Sequence, residues 1–187
     1  MKRLLKFLIT LLILASIIFV LFKAIKIDDI IMKKIYPLKY NEYVEKYSKE
    51  YNIDKYMVYA IIKAESNFNK NAKSNSDAIG LMQIMESTAV ETADKMNIEV
   101  TKEDLFEPEL NINIGLGYFT YLLDYYDNNY LLAIIAYNAG IGNVDKWLKQ
   151  EIIKKDGTDI ENVPFKETNN YVRKILRDYE IYKELYN

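Results

Sequence analysis

Apolar positions fall into three regimes along the chain. Residues 7–22 (FLITLLILASIIFVLF) carry no charge, residues 27–47 mix charged and aromatic side chains without a periodic apolar face, and from residue 48 apolar positions recur at helical spacing. The third regime predicts helices. Asp54 is placed to cap one running through Ala64, Asn111 to open one over 111–126, and 130–137 forms another. Gly, Pro, Asn, Asp and Ser gather at 67–76, 97–108, 140–142 and 157–164, where the helices should break. No segment alternates as a half-buried strand would. The expected architecture is an all-α domain over 48–187, a juxtamembrane stalk over 27–47 and a membrane-directed segment over 1–26.

The length of the apolar run bears on its role. Residues 7–22 cover about 24 Å as a helix, short of a ~30 Å hydrocarbon core, whereas 4–25 reach about 33 Å if Lys6 and Lys23 snorkel. A cleaved export signal would end in a small-x-small site, and neither Ala15 nor Ala24 has a small residue two positions away. One uncleaved N-terminal transmembrane helix is therefore the expectation, with a cleaved signal, and so a secreted domain, as the alternative. Lys2, Arg3 and Lys6 before the run are matched by Lys23, Lys26, Lys33 and Lys34 after it, so the positive-inside rule does not choose an orientation.

Composition narrows the chemistry. The formal charge of -2 over 187 residues gives no basic surface for nucleic acid. With neither Cys nor His, the chain has no thiolate nucleophile, no Ser-His-Asp triad, no Cys-ligated zinc and no HExxH metal site. Carboxylates, hydroxyls, amides or Lys must carry any catalysis.

One carboxylate is oddly placed. In DKYMVYAIIKAES, Glu65 follows Met57, Ile61 and Ala64 at helical spacing, which puts it on or beside the apolar face in the last turn. Desolvation and the negative end of the helix dipole both raise a carboxyl pKa there, so Glu65 could hold a proton near neutral pH. The ordinary alternative is a surface Glu near a frayed end, and exposure statistics favour it from this helix alone. Other segments invite similar pairs of readings. Gly80 permits close backbone approach to a neighbour or a sugar, and Gln83 offers both donors and acceptors, while Leu81 and Met82 suit a core. Gly140 suits a left-handed helix stop, which leaves Tyr137 and Asn138 free to hold a carboxylate or a sugar hydroxyl. Glu167 and Tyr171 are four apart and should share a helix face, as binding groups or as a capping acid beside a packed aromatic. Trp147 is assigned to the core.

Taken in order, AES and NF, SNSDAIGLMQI, AYNAG and PFKETNNYVRKI resemble the motifs of the soluble lytic transglycosylase (SLT) family, whose domain is lysozyme-like; they span residues 64–175. The resemblance implies a peptidoglycan glycan strand as substrate and Glu65 as catalytic acid and then base, with no metal or cofactor. It further implies Ser74, Gln83, Met85, Tyr137, Asn138, Glu167 and Tyr171 as cleft residues. Asp77 stands where the family often has Gly, Glu86 where it usually has Pro, and Ile141 where Pro is common in the glycine turn. Ordinary glycosidases need two carboxylates, and only one is placed by motif here. That shortage fits a reaction ending in a 1,6-anhydromuramic product. The alternatives are a hydrolytic muramidase with Asp77 as second acid, or a non-catalytic peptidoglycan-binding scaffold on the same fold. Such a substrate implies an extracytoplasmic domain on a single-pass membrane protein.

Overall fold

The computed structural model describes residues 2–24 and 27–187, and every side chain among them except those of residues 2, 17, 18, 20–24 and 27. The chain divides into two compact units, Met1–Pro37 and Leu38–Asn187. The first holds α1 (Lys2–Ala24) and α2 (Ile27–Ile35). α1 carries the apolar run as a single helix with Leu4, Leu5, Phe7, Leu8 and Leu12 exposed. Part of the expected span lies outside the described side chains, and among the described residues no helix is long and apolar enough to cross a membrane.

The second unit contains α3 (Asn41–Glu50), α4 (Lys55–Ser66), β1 (Ala78–Ile79), β2 (Ile84–Met85), α5 (Glu86–Lys95), α6 (Pro108–Tyr125), α7 (Tyr130–Ala139), α8 (Ile141–Lys149) and α9 (Lys166–Tyr186). α4 is its central element. Every residue from Tyr56 to Ile62 is buried, because α3 and α9 both pack against this helix. Asp54 caps it as expected, accepting from the Tyr56 backbone N–H at 2.8 Å. The buried Tyr59 ties α4 to both neighbours: its ring stacks on Tyr182 of α9 at 5.4 Å, and its hydroxyl donates to Asn41 at 2.9 Å. α7 packs on α6, α8 and α9, and α5 lies against α6. Trp147 is buried as expected, edge-on to Phe165.

The structure departs from the sequence reading in four places. The compact unit opens at Leu38, ahead of the expected boundary at 48. α3 belongs to it because Val44 and Tyr47 are buried, and each such apolar side chain removed from water stabilises by about 1.5–3 kcal/mol. The domain is not purely helical, since β1 and β2 form an antiparallel hairpin in which Ala78 faces Met85 and Ile79 faces Ile84. Two-residue strands are too short for alternation to show. α6 starts at Pro108, whose fixed φ and missing N–H suit the first helical position, and Asn111 lies inside it. Gly140 takes φ 82 and ψ 146, a region open essentially to glycine, rather than the left-handed helical region. It ends α7 and starts α8 at one residue, which a continuing left-handed cap would not do.

Candidate active site

Glu65 sits where α4 ends. Asn67 adopts left-handed backbone and donates to the Lys63 carbonyl at 3.2 Å, while Lys174 of α9 donates to the Ala64 carbonyl at 3.0 Å. Two of the helix's unpaired terminal carbonyls are thereby satisfied, and the last turn is held rigid. Ser66 locks the same turn to the hairpin by donating to the Leu81 carbonyl at 2.7 Å.

The Glu65 carboxyl is half-buried and receives the Tyr171 hydroxyl at 2.5 Å. Burial pushes its pKa up to about 7, opposed by that hydrogen bond and, more weakly, by the Lys174 ammonium. The carboxyl thus exchanges its proton near neutral pH, as general acid-base work requires. Burial also raises the hydroxyls of Tyr171 and Tyr137 well above their ordinary value, with the Glu65 charge as the second cause, so both remain neutral donors beside it.

The hairpin forms one wall of the site, and Asn111 holds it there. This fully buried amide accepts from the Met82 N–H at 2.8 Å and donates to the carbonyls of Ile79 (3.0 Å) and Leu105 (2.8 Å). At the end of the hairpin turn Gln83 takes φ 48, and its side chain donates to the carbonyls of Ala72 (3.2 Å) and Gly80 (3.0 Å). Those bonds compensate the left-handed backbone. Tyr137 reaches across from α7 and donates to the Met82 carbonyl at 2.9 Å. The motif residues therefore brace one another before any substrate arrives.

A cleft of about 250 Å³ opens beside this brace, lined by Gln83, Met85, Thr88, Tyr118, Tyr137 and Asn138 among others. Four residues expected from the sequence meet here, and Met85 is 48% exposed within it. Asn138 is fixed by the Thr168 hydroxyl, which donates to its side-chain oxygen at 2.7 Å. Tyr171 joins Glu65 directly. Ser74 instead builds the preceding loop, its hydroxyl accepting from the N–H groups of Ser76 (3.2 Å) and Ala78 (3.0 Å). Glu167 is exposed in the first turn of α9, whereas Tyr171 on the same helix is buried. Asp77 takes φ 62, a left-handed backbone that glycine adopts freely and Asp tolerates better than most residues. Its exposed carboxylate pairs with Lys73 at 2.8 Å, and that partner holds it below the usual carboxylate range.

Sequence reasoning missed Asn111, Tyr118, Thr168 and Lys174. Thr168 and Lys174 lie three residues either side of Tyr171, so the face of α9 that meets Glu65 was visible in the spacing. Among the described residues, no group of acidic side chains could hold a metal ion.

A mostly helical domain with one short hairpin, and a half-buried acid of raised pKa in the last turn of its central helix, is of the lysozyme-like class. The chain belongs to the Transglycosylase SLT domain family, whose model matches residues 42–160. It is 38% identical over 154 residues to the soluble lytic murein transglycosylase of Salmonella typhimurium, covering 81% of this chain and 24% of that protein. It is also 38% identical over 120 residues to the membrane-bound lytic murein transglycosylase C of Serratia proteamaculans, covering 57% of this chain and 32% of that one. An inactive glutamate-to-glutamine mutant of lytic transglycosylase Slt from Pseudomonas aeruginosa superposes with a TM-score of 0.74 at 33% identity, over 80% of this chain and 24% of that structure. The chain spans about a quarter of the length of the soluble relatives it matches. α9, with Tyr171 and Lys174, lies beyond the residues matched by the family model.

Proposed function

We propose that this domain is a peptidoglycan lytic transglycosylase that cleaves the β-1,4 bond between N-acetylmuramic acid and N-acetylglucosamine. The observation that carries the reading is Glu65, a half-buried carboxyl whose pKa is pushed up to about 7 and which receives the Tyr171 hydroxyl. Glu65 gives its proton to the bridging oxygen as the bond from that oxygen to C1 of the muramic residue breaks. The substrate's own N-acetyl group supports the developing cation, so no second protein carboxylate is needed. The C6 hydroxyl of the same sugar then bonds to C1 and returns its proton to the Glu65 carboxylate. Glu65 ends as it began, no water is consumed, and the product carries a 1,6-anhydro end. Inactivation of the P. aeruginosa relative by a glutamate-to-glutamine change agrees with dependence on one such acid.

Gln83, Met85, Tyr137 and Asn138 are proposed to bind the sugars, because they line one cleft and the Tyr137 hydroxyl in it feels the Glu65 charge. Tyr171 orients the acid, Ser74 shapes the loop leading into the hairpin, and Glu167 offers an exposed contact at the rim. Digestion of purified peptidoglycan followed by mass spectrometry is the direct test. Anhydromuramic ends are expected; reducing ends that have gained water would replace this reading with a muramidase, and intact strands with a binding scaffold.

The N-terminal unit is proposed as a membrane anchor that keeps the domain outside the cytoplasm and near the wall. Sixteen uncharged residues at 7–22 support this, as do the exposed leucines and phenylalanine along α1. The full chain should stay in the membrane pellet after alkaline carbonate washing, and its release would refute the anchor.

A further inference from the structure

One stripe of α9 meets the last turn of α4 residue by residue. Tyr171, Lys174 and Asp178 follow at intervals of three and four, and so share a face of the helix. Opposite them lie three consecutive residues of α4. Tyr171 donates to the Glu65 carboxyl, Lys174 donates to the Ala64 carbonyl at 3.0 Å, and Asp178 pairs with the Lys63 ammonium at 3.5 Å. Arg177 closes the cluster by donating to Asp178 from two nitrogens, at 3.0 and 2.8 Å.

Asp178 is fully buried, and the Lys63 side chain is only 12% exposed. An ion pair taken that far out of water gains little over apolar packing, so stability alone is a weak reason for it. Its setting supplies a stronger one. The end of α4 is the negative end of a helix dipole, and it carries the acid that becomes an anion once its proton has gone. A cation belongs there, and the Lys174 ammonium favours the Glu65 anion. Burial works against that ammonium by lowering its pKa; the Asp178 carboxylate is the strongest opposing influence, with Lys63 and Arg177 adding to the lowering and Glu65 resisting it. Tyr171 from α9 and Tyr137 from α7 also feel the Glu65 charge, and both stay neutral. We infer that Lys174 is a positioning residue for glycan cleavage: its ammonium, counterbalanced by the buried Asp178, fixes the turn that carries Glu65 and supports the carboxylate left when the proton moves to the sugar oxygen. This inference rests on the glycan-cleaving reading above and adds to it a cation that the cleft lining does not provide.

The test compares Lys174→Met with Lys174→Arg in the full chain. Met keeps an apolar stem against α4 and loses the charge, whereas Arg keeps the charge. Lys174→Met should lower kcat on peptidoglycan strands about tenfold with KM unchanged, because Lys174 lies outside the cleft lining. It should also move the alkaline limb of the rate profile to higher pH by about one pH unit, since the acid loses the cation that eases its ionisation. Lys174→Arg should return the limb to its wild-type place. A purely structural lysine would lower activity without moving the limb. An unmoved limb in Lys174→Met, or one displaced as far in Lys174→Arg, overturns the inference. If the unaltered chain cuts no peptidoglycan, the glycan-cleaving reading fails. NMR titration of isotope-labelled glutamate carboxyls then still decides whether Lys174 acts on Glu65: a midpoint that rises from about 7 in Lys174→Met and is restored in Lys174→Arg upholds it, and one unmoved by loss of the cation refutes it.

Discussion

Replacing Glu65 by Gln is expected to lower kcat for glycan cleavage about 10³-fold or more while the domain stays folded. General acid-base catalysis by one positioned group contributes about 10²–10⁴-fold, and the proposed reaction uses this carboxyl twice. Gln keeps the shape and can still accept the Tyr171 hydroxyl, so the loss would report the proton and not the packing. Stability supplies a second readout. With the Glu65 pKa raised from 4.5 to about 7, the folded protein holds a proton that the unfolded chain has released between those values. Its favourable contribution is complete below about pH 4.5 and is lost as pH rises to about 7. Glu65→Gln escapes that loss, so its thermal stability relative to wild type should grow across this window and level off above it. The ceiling is about 3 kcal/mol, reduced by the carboxyl's partial access to water. Tyr171→Phe serves as the companion variant. It removes a hydrogen bond that favours the anion, so the alkaline limb of the rate profile should move to higher pH while measurable activity remains. A pH-independent stability difference for Glu65→Gln, or near-normal cleavage by it, would rule out the proposed role.

How far this site could be seen in the sequence depended on the range of each interaction. Glu65 was legible because its exception is local: an acid at an apolar helical position in the last turn. Burial and the helix dipole both predict a raised pKa from the sequence, and burial is the dominant cause in the fold. Tyr137 and Asn138 were legible because a glycine break isolates them from the helix core. Gln83 was only half legible. Its donors and acceptors suggested a sugar contact, but its NH₂ is engaged by the loop that makes the wall, and positive φ at a non-glycine residue leaves no periodic trace.

Asn111 was hidden for the opposite reason. Asn before an apolar helix ordinarily signals a cap, and only the fold shows three polar backbone groups waiting for one amide. The tyrosines make the same point. Seventeen of them in the chain gave no individual signal, yet Tyr59, Tyr137 and Tyr171 each make a named long-range bond. Their partners lie 18, 55 and 106 residues away, beyond any helical repeat. Helix existence was readable from period, and the hairpin was not, since neither strand is long enough to have one.

Gly80→Ala is expected to destabilise the domain by about 3 kcal/mol or more and to abolish cleavage along with it. Gly80 has φ 79, and a Cβ there would lie under 3.0 Å from both the Asn111 side-chain nitrogen and the Leu105 carbonyl oxygen. Left-handed backbone alone costs an alanine about 1 kcal/mol. The larger part comes from the clash, because Asn111 has no room to retreat. Moving it would break its bonds to Met82, Ile79 and Leu105 inside the core, and a buried polar group left unpaired costs about 1–3 kcal/mol. The hairpin would then leave the wall on which Tyr137 and Ser66 are braced, and Glu65 would lose its setting. Gly142 provides the control. It lies in the first turn of α8, and a methyl added there would meet nothing within 4 Å, so Gly142→Ala should be neutral or gain up to about 1 kcal/mol. Urea denaturation of the two variants measures the contrast; equal midpoints would show that the hairpin is not clamped through Gly80 and Asn111.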